Sequence, residues 1–262
     1  MPSQRLFLLA VGIAASAMAL GPVDAARKPA VQLVDYAAAV AASDRPADAV
    51  KLDAGRKPAE VLKFMGLKRG DRALDLFTGT GYYAEIMARA VGPTGAVTAW
   101  EPANFVNDKS RQAWNELHGR VPNTSIILTS GPAIALPSDT FDFVMIHLNY
   151  HDTYWESAKY GFARMDPEAF LRTVYQSVKP GGVVAVIDHV ANPGGDTRAV
   201  VDKLHRIDPA TARADFERAG FVLDGQSDIL RNPADDHSKL VFDPAVRGNT
   251  DRFVYRFRKP RK

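Results

Sequence analysis

The stretch from Ala73 to Glu101 constrains this chain more than any other. Ala73-Leu74-Asp75-Leu76-Phe77 is a short apolar run of the kind that forms a buried strand. The turn Thr78-Gly79-Thr80-Gly81 follows. Tyr82 to Val91 then places Ala84, Ile86, Met87, Ala90 and Val91 at helical spacing. Gly92-Pro93-Thr94-Gly95 stops that helix, and Ala96 to Trp100 forms a second strand ending at Glu101. Strand, glycine turn, helix, strand and acid is the plan of a nucleotide-binding βαβ unit. Its glycines admit a ligand to the backbone, its helix start offers free N–H groups, and its acid accepts hydrogen bonds from ribose hydroxyls.

The rest of the chain repeats the alternation. Ser125 to Leu128, Phe141 to Ile146, Val183 to Ile187, Phe221 to Leu223 and Arg252 to Phe257 read as further strands. Asn107 to Leu117, Pro167 to Val178, Asp196 to Arg206 and Pro209 to Ala219 read as helices. Near-continuous apolar strands between helices mean a parallel sheet covered on both faces. Upstream, Pro58 to Met65 reads as a helix. Val31 to Lys57 is alanine-rich and helical, broken at Ser43-Asp44-Arg45-Pro46, where Ser43 or Asp44 is the expected cap. Asp48, Asp53, Arg56 and Lys57 in this segment read either as a solvated helix face or as a lid lending an Asp or Arg to the ligand site.

Composition excludes several classes. With 46% hydrophobic and 24% charged residues, neither disorder nor a membrane bundle is indicated. The net charge of +3 is exceeded by the basic tail Arg256 to Lys262 alone, and mixed charge elsewhere argues against nucleic-acid binding. Arg5, the apolar run Leu6 to Leu20 and Val23-Asp24-Ala25 have the parts of a secretory signal over residues 1–25. With no cysteine there is neither a lipid-bearing cysteine nor a disulfide. A periplasmic or secreted bacterial protein, without an integral membrane segment once the signal is cleaved, is the expectation.

In an open parallel sheet the ligand lies beyond the carboxyl ends of the strands. Those ends carry the turn after Phe77, Glu101, Asn149-Tyr150-His151-Asp152 and Asp188-His189, so acids and histidines converge on one rim. The order Asp75 to Gly81, Glu101, Ala135-Leu136-Pro137 before Phe141-Asp142-Phe143-Val144, Lys179-Pro180-Gly181-Gly182 and Ala219-Gly220-Phe221 resembles class I S-adenosylmethionine-dependent methyltransferases. Arg56-Lys57-Pro58, Gly81-Tyr82-Tyr83, Asn149 to Asp152, Asp188-His189, Leu204 to Asp208 and Leu230 to His237 are similar to a group of secreted bacterial proteins of that class. The resemblance implies a Rossmann-like, doubly wound α/β fold with a mostly parallel seven-stranded sheet. Residues 26–58 are then an N-terminal helical extension and 59–262 the methyltransferase-like domain. It implies S-adenosylmethionine as cofactor, held by Asp75, Gly79, Gly81, Tyr82, Glu101 and Asn149, and a small-molecule acceptor. Phe77 stands where the family has its first loop glycine, which implies a less permissive backbone and a displaced loop. Pro132 stands where an acid near the adenine is common.

For a hydroxyl acceptor a base within hydrogen-bond reach helps, and His151 with Asp152 is the first candidate, Asp188 with His189 the second. The plain alternatives are that His151 caps its loop and that Asp188 bonds loop amides. His205 is read as a packing or ion-pairing residue and His147 as a core histidine. One of Tyr82 and Tyr83 is expected in the sheet–helix interface, the other on the pocket. His151, Asp152, Asp188, His189 and His237 could meet on one rim as ligands for zinc or iron, but no tight ligand spacing is present and no metal is expected. Two other readings remain: Gly79-Thr80-Gly81-Tyr82-Tyr83-Ala84 fits a loose NAD-binding pattern, and the scaffold also suits a non-catalytic binding protein.

Overall fold

The computed structural model describes residues 33–130 and 133–261, so the secretory-signal reading and Pro132 fall outside the described residues. Residues from Leu33 onward form one compact unit. Seven strands, β1 (Arg72–Leu76), β2 (Ala96–Pro102), β3 (Thr124–Thr129), β4 (Phe141–His147), β5 (Val178–His189), β6 (Val222–Ser227) and β7 (Arg252–Arg258), make one sheet in the order β3-β2-β1-β4-β5-β7-β6. The five strands from β3 to β5 pair in parallel. β7 runs antiparallel between β5 and β6. A dinucleotide-binding sheet has six parallel strands in the order 3-2-1-4-5-6; the antiparallel β7 inserted beside β5 departs from it.

Helices cover both faces, as the apolar strands require. They are α1 (Tyr36–Val40), α2 (Ala47–Val50), α3 (Asp53–Arg56), α4 (Pro58–Met65), α5 (Tyr82–Val91), α6 (Asp108–Arg120), α7 (Pro167–Ser177), α8 (Thr197–Leu204) and α9 (Pro209–Arg218). Successive strand side chains alternate between the faces. Ala73, Val97, Phe143, Met145 and Ala185 pack with α4, α5 and α6. Leu74, Leu76, Trp100, Val144 and Val186 pack with Phe170 of α7 and Phe216 of α9. Asn107 and Ser110 close a reciprocal cap on α6, and Asp166 and Asp208 cap α7 and α9 ahead of a proline. By contrast α5 starts at Gly81 with no side-chain cap, which leaves its opening turn to the site below.

The N-terminal helices dock on the sheet through polar contacts as well as Ala39. Arg45 donates two hydrogen bonds to Asp53, at 2.7 and 2.9 Å, and the Tyr82 hydroxyl donates to Asp53 Oδ1 at 2.6 Å. Arg252 of β7 donates to the Gly55 carbonyl at 2.8 Å. Neither Ser43 nor Asp44 caps α2, which has no side-chain cap; Asp44 pairs with Arg89 of α5 instead. The basic tail also has internal partners. Arg256 and Arg258 pair with Asp224, and Lys259 Nζ donates to the Tyr175 and Val178 carbonyls at the end of α7.

Candidate active site

The turn after β1 keeps its place despite Phe77. That residue adopts a left-handed backbone, φ +56°, which a side chain enters only with strain of order 1–3 kcal/mol. Its ring is nearly buried and meets Trp100 edge-on at 4.9 Å and Phe170 at 5.8 Å. Burying a phenylalanine contributes about 1.5–3 kcal/mol, so packing offsets the strain and no displacement of the turn is needed. Glu101 Oε2 accepts the Gly79 N–H at 2.8 Å, joining the turn to the end of β2. Asp75 accepts the Thr78 hydroxyl at 2.7 Å. Both carboxyls sit above their ordinary range, at about 7: burial is the main cause for each, and for Glu101 the neighbouring Asp75 and Asp152 add to it.

Above the turn lies a cavity of about 220 Å³ lined by Arg56, Asp75, Gly79, Tyr82, Tyr83, His147 and Asn149, among others. Its wall is unusually unsatisfied. Among the described residues, Tyr83 Oη and His147 Nε2 are buried without a hydrogen-bond partner. No carboxylate among the described residues lies within ion-pairing distance of Arg56, whose guanidinium stacks over the Tyr82 ring at 4.3 Å. Burial lowers its pKa. Gly79, at φ +59°, has nothing within 4 Å of where a Cβ would stand. A cation, a buried carboxyl, two orphaned polar atoms and an open glycine suit a zwitterionic ligand end, with its carboxylate at Arg56 and its ammonium toward Asp75.

A second cavity, about 650 Å³, shares Phe77 and Asn149 with the first. Phe105, Trp155, Tyr160, Phe162, Leu240 and Phe242 give it an aromatic and apolar wall. Across that wall runs a polar row. Asp188 Oδ1 receives His151 Nδ1 at 2.8 Å, and its Oδ2 accepts the His151 amide at 2.8 Å. His151 Nε2 lies 3.3 Å from Asp152 Oδ1, and His205 Nδ1 lies 3.6 Å from the same oxygen. The other Asp152 oxygen accepts from Asn149 at 2.8 Å. Burial works against charge on His151, yet the Asp188 and Asp152 carboxylates hold it up at about 9. Asp152 is burdened by the same burial but is lowered by His151, His205 and Asn149. His189 meets Thr250 Oγ1 at 2.6 Å, and burial with nearby cations keeps it neutral.

The fold and part of the sequence have counterparts among known proteins. Residues 47–142 match the family model of protein-L-isoaspartate (D-aspartate) O-methyltransferase. The ubiquinone/menaquinone biosynthesis C-methyltransferase of Enterobacter sp. (strain 638) is 25% identical over 196 residues, 72% of this chain and 70% of that protein. The corresponding enzyme of Pasteurella multocida is 26% identical over 142 residues, 54% of this chain and 46% of its own. A crystal structure of a SAM-dependent methyltransferase from Aquifex aeolicus superposes with TM-score 0.56 at 22% identity, over 82% of this chain and 98% of that one. The matches support a class I S-adenosylmethionine-dependent methyltransferase. A putative sarcosine dimethylglycine methyltransferase from Galdieria sulphuraria shares the fold, with TM-score 0.58 and 19% identity over 81% of this chain and 86% of that one.

In this methyltransferase the residues expected at the cofactor divide into two groups. Asp75, Gly79, Tyr82 and Asn149 line the smaller cavity and Glu101 the larger one. Gly81 lines neither; a Cβ there would fall 2.4 Å from Leu117 Cδ1, so the residue lets α6 close on the turn. His151, Asp152 and His189 border the larger cavity, whereas Asp188 is wholly buried and bonds the amides of His151 and His189. Tyr82 and Tyr83 both reach the smaller cavity, against the expected division of labour. His147 is buried but borders that cavity rather than the apolar core alone. His205 lines the larger cavity because α8 ends early, at Leu204, with His205 at φ +50°. His237 is engaged elsewhere, by Asn192 and Asp251. Arg56 lines the smaller cavity and Asp53 accepts from Tyr82 in its wall, while Asp48 and Lys57 stay exposed.

Proposed function

We propose that this methyltransferase acts on a flat, largely apolar small molecule bound among Phe105, Trp155, Phe162 and Phe242. The observation that carries this reading is the pair of cavities meeting at Phe77 and Asn149, a polar one over the glycine turn and an aromatic one beside it. Bound in the first, S-adenosylmethionine supplies an electrophilic methyl carbon on a sulfonium. Arg56 and Asp75 hold its amino-acid end, Gly79 gives it room, and Glu101 accepts from its ribose. The aromatic wall excludes water and orients an acceptor ring, which is where most of the rate enhancement of an in-line transfer originates. Asp152 and its histidine neighbours hydrogen-bond the acceptor's polar edge.

The family-model match ends at residue 142, before the segments from Leu148 to Phe162 and from Asp202 to Phe242 that line the larger cavity. An isoaspartyl acceptor is therefore not inherited with the match. The curated relatives named for quinone biosynthesis agree better with an aromatic-walled cavity. The leader reading of residues 1–25 adds the proposal that the mature protein works outside the cytoplasm; N-terminal sequencing of protein recovered from the periplasm tests it.

Calorimetric titration with S-adenosylmethionine and with NAD tests the function. We expect micromolar binding of the first, abolished by Gly79→Arg, and none of the second. Absence of S-adenosylmethionine binding would overturn the reading. A panel of hydroxylated aromatics and quinols with radiolabelled methyl donor then tests the acceptor class, and turnover confined to peptides would reject it.

A further inference from the structure

We propose that His151, Asp152 and His205 form a binding site for one first-row divalent transition-metal ion in the wall of the larger cavity. The inference rests on reading that cavity as the acceptor's. Candidate ligand atoms of these three residues all lie within 4.8 Å of one another. Two of the separations carry the argument: 3.3 Å from His151 Nε2 to Asp152 Oδ1 and 3.6 Å from that oxygen to His205 Nδ1. Metal bonds of about 2.1 Å in a tetrahedral shell place neighbouring ligands about 3.4 Å apart. The side chains are thus spaced like the edges of a coordination shell.

The surroundings match as well. A metal-binding histidine commonly gives its other ring N–H to a carboxylate, which fixes the tautomer and aims the free nitrogen. Asp188, fully buried, does this to His151 Nδ1 at 2.8 Å. A ligating carboxylate is itself hydrogen-bonded, and Asn149 donates to Asp152 Oδ2 at 2.8 Å. His205 keeps a left-handed backbone, φ +50°, between the Trp155 ring at 5.1 Å and the Phe242 ring at 5.2 Å. That conformation caps α8, with the His205 N–H donated to the Val201 carbonyl, and the imidazole of the cap residue lies 3.6 Å from Asp152 Oδ1. An ion pair between His151 and Asp188 alone would need neither Asn149 nor His205.

Two imidazoles and one carboxylate suit zinc or another first-row divalent ion, and three protein ligands leave coordination positions open. The three residues line the same cavity as Trp155 and Phe242, where an oxygen of the acceptor would complete the shell. The acceptor class narrows accordingly to a ring bearing a hydroxyl or carbonyl oxygen.

Full-length protein treated with EDTA and dialysed free of chelator is titrated with Co²⁺ and Zn²⁺. We expect one equivalent of Co²⁺ with visible d–d absorption, displaced by Zn²⁺ binding at micromolar or lower dissociation constant. His205→Ala should weaken Zn²⁺ at least a hundredfold with unchanged circular dichroism, and Asp188→Asn by about ten- to a hundredfold. Should His205→Ala misfold, His205→Gln carries the same expectation. His237→Ala, away from the cluster, should bind as the wild type does. No stoichiometric Co²⁺ signal, full binding in the His205 variant, or equal loss in the His237 variant would overturn the site. S-adenosylmethionine binding is followed in the same samples. Cofactor binding without metal rejects the metal site alone, and metal binding without cofactor rejects the methyl-transfer reading alone.

Discussion

Asp188 grips His151 at two points, the ring through Nδ1 and the backbone through its amide, each at 2.8 Å. One carboxylate thereby fixes the orientation of the imidazole and of the short 3-10 turn His151–Tyr154 that carries it. Asp188 does not touch the cavity, so it is a positioning residue. Asp188→Asn replaces an acceptor with a group that donates on one side and leaves His151 free to rotate. We expect turnover to fall ten- to a hundredfold with S-adenosylmethionine affinity unchanged. Equal loss of cofactor affinity would show that the variant disturbs the rim as a whole.

Arg56 enters the cofactor cavity from α3, outside the sheet. Its guanidinium is largely desolvated and has no carboxylate within ion-pairing distance among the described residues, the setting in which a ligand carboxylate binds with charge-assisted hydrogen bonds worth roughly 1.5–3 kcal/mol. Arg56→Ala should therefore raise the dissociation constant of S-adenosylmethionine by about ten- to a hundredfold. Arg56→Lys keeps the charge but not the fork, and should recover only part of it. Calorimetry on the three proteins decides the point, and unaltered affinity in Arg56→Ala would remove Arg56 from the cofactor site.

The strands and the turn at Gly79 were legible in the sequence because apolar runs and glycine punctuation are local signals. So was the rim of acids and histidines, since a parallel sheet sends every strand's carboxyl end to one edge. Arg56 and His205 were less legible for a shared reason. Each lies in a segment whose placement is decided by distant partners, Arg252 holding Gly55 in one case and Phe242 with Trp155 enclosing the imidazole in the other. His147 was misleading because an apolar strand hides which face of its last residue meets a cavity. Gly81 read as a ligand contact because loop glycines and packing glycines look alike until Leu117 is seen against one of them.

Phe77 offers a direct weighing of strain against burial. Phe77→Gly would relieve a left-handed backbone costing about 1–3 kcal/mol, but would delete a ring seated on Trp100 and Phe170, a loss of about 3–5 kcal/mol for a large buried aromatic. Burial wins, and we expect a net destabilisation of up to about 4 kcal/mol by urea denaturation. A gain in stability would mean that the strain at φ +56° outweighs the packing.

Glu101 and Asp75 should give stability and cofactor binding opposite responses to pH. Folding raises Glu101 from 4.5 to about 7 and Asp75 from 3.8 to about 7, chiefly through burial. Between about pH 4 and 7 the folded, cofactor-free protein holds protons that the unfolded chain has released, so stability falls as pH rises through that window. The contribution is fully present below the unfolded values and gone above about pH 7. Across it Glu101 changes stability by roughly 3 kcal/mol and Asp75 by roughly 4 kcal/mol. Cofactor affinity should run the other way, because only the ionised Glu101 presents both oxygens as acceptors to Gly79 and to ribose hydroxyls. Glu101→Gln retains an acceptor for the Gly79 amide but cannot titrate. It should reduce the slope of both profiles, leaving the share that belongs to Asp75, bind S-adenosylmethionine more weakly than the wild type at pH 8, and unfold there at higher urea. Urea denaturation and calorimetry at pH 5, 6, 7 and 8 test this. If the variant's stability kept the wild-type slope, the proton linkage would belong to groups other than Glu101.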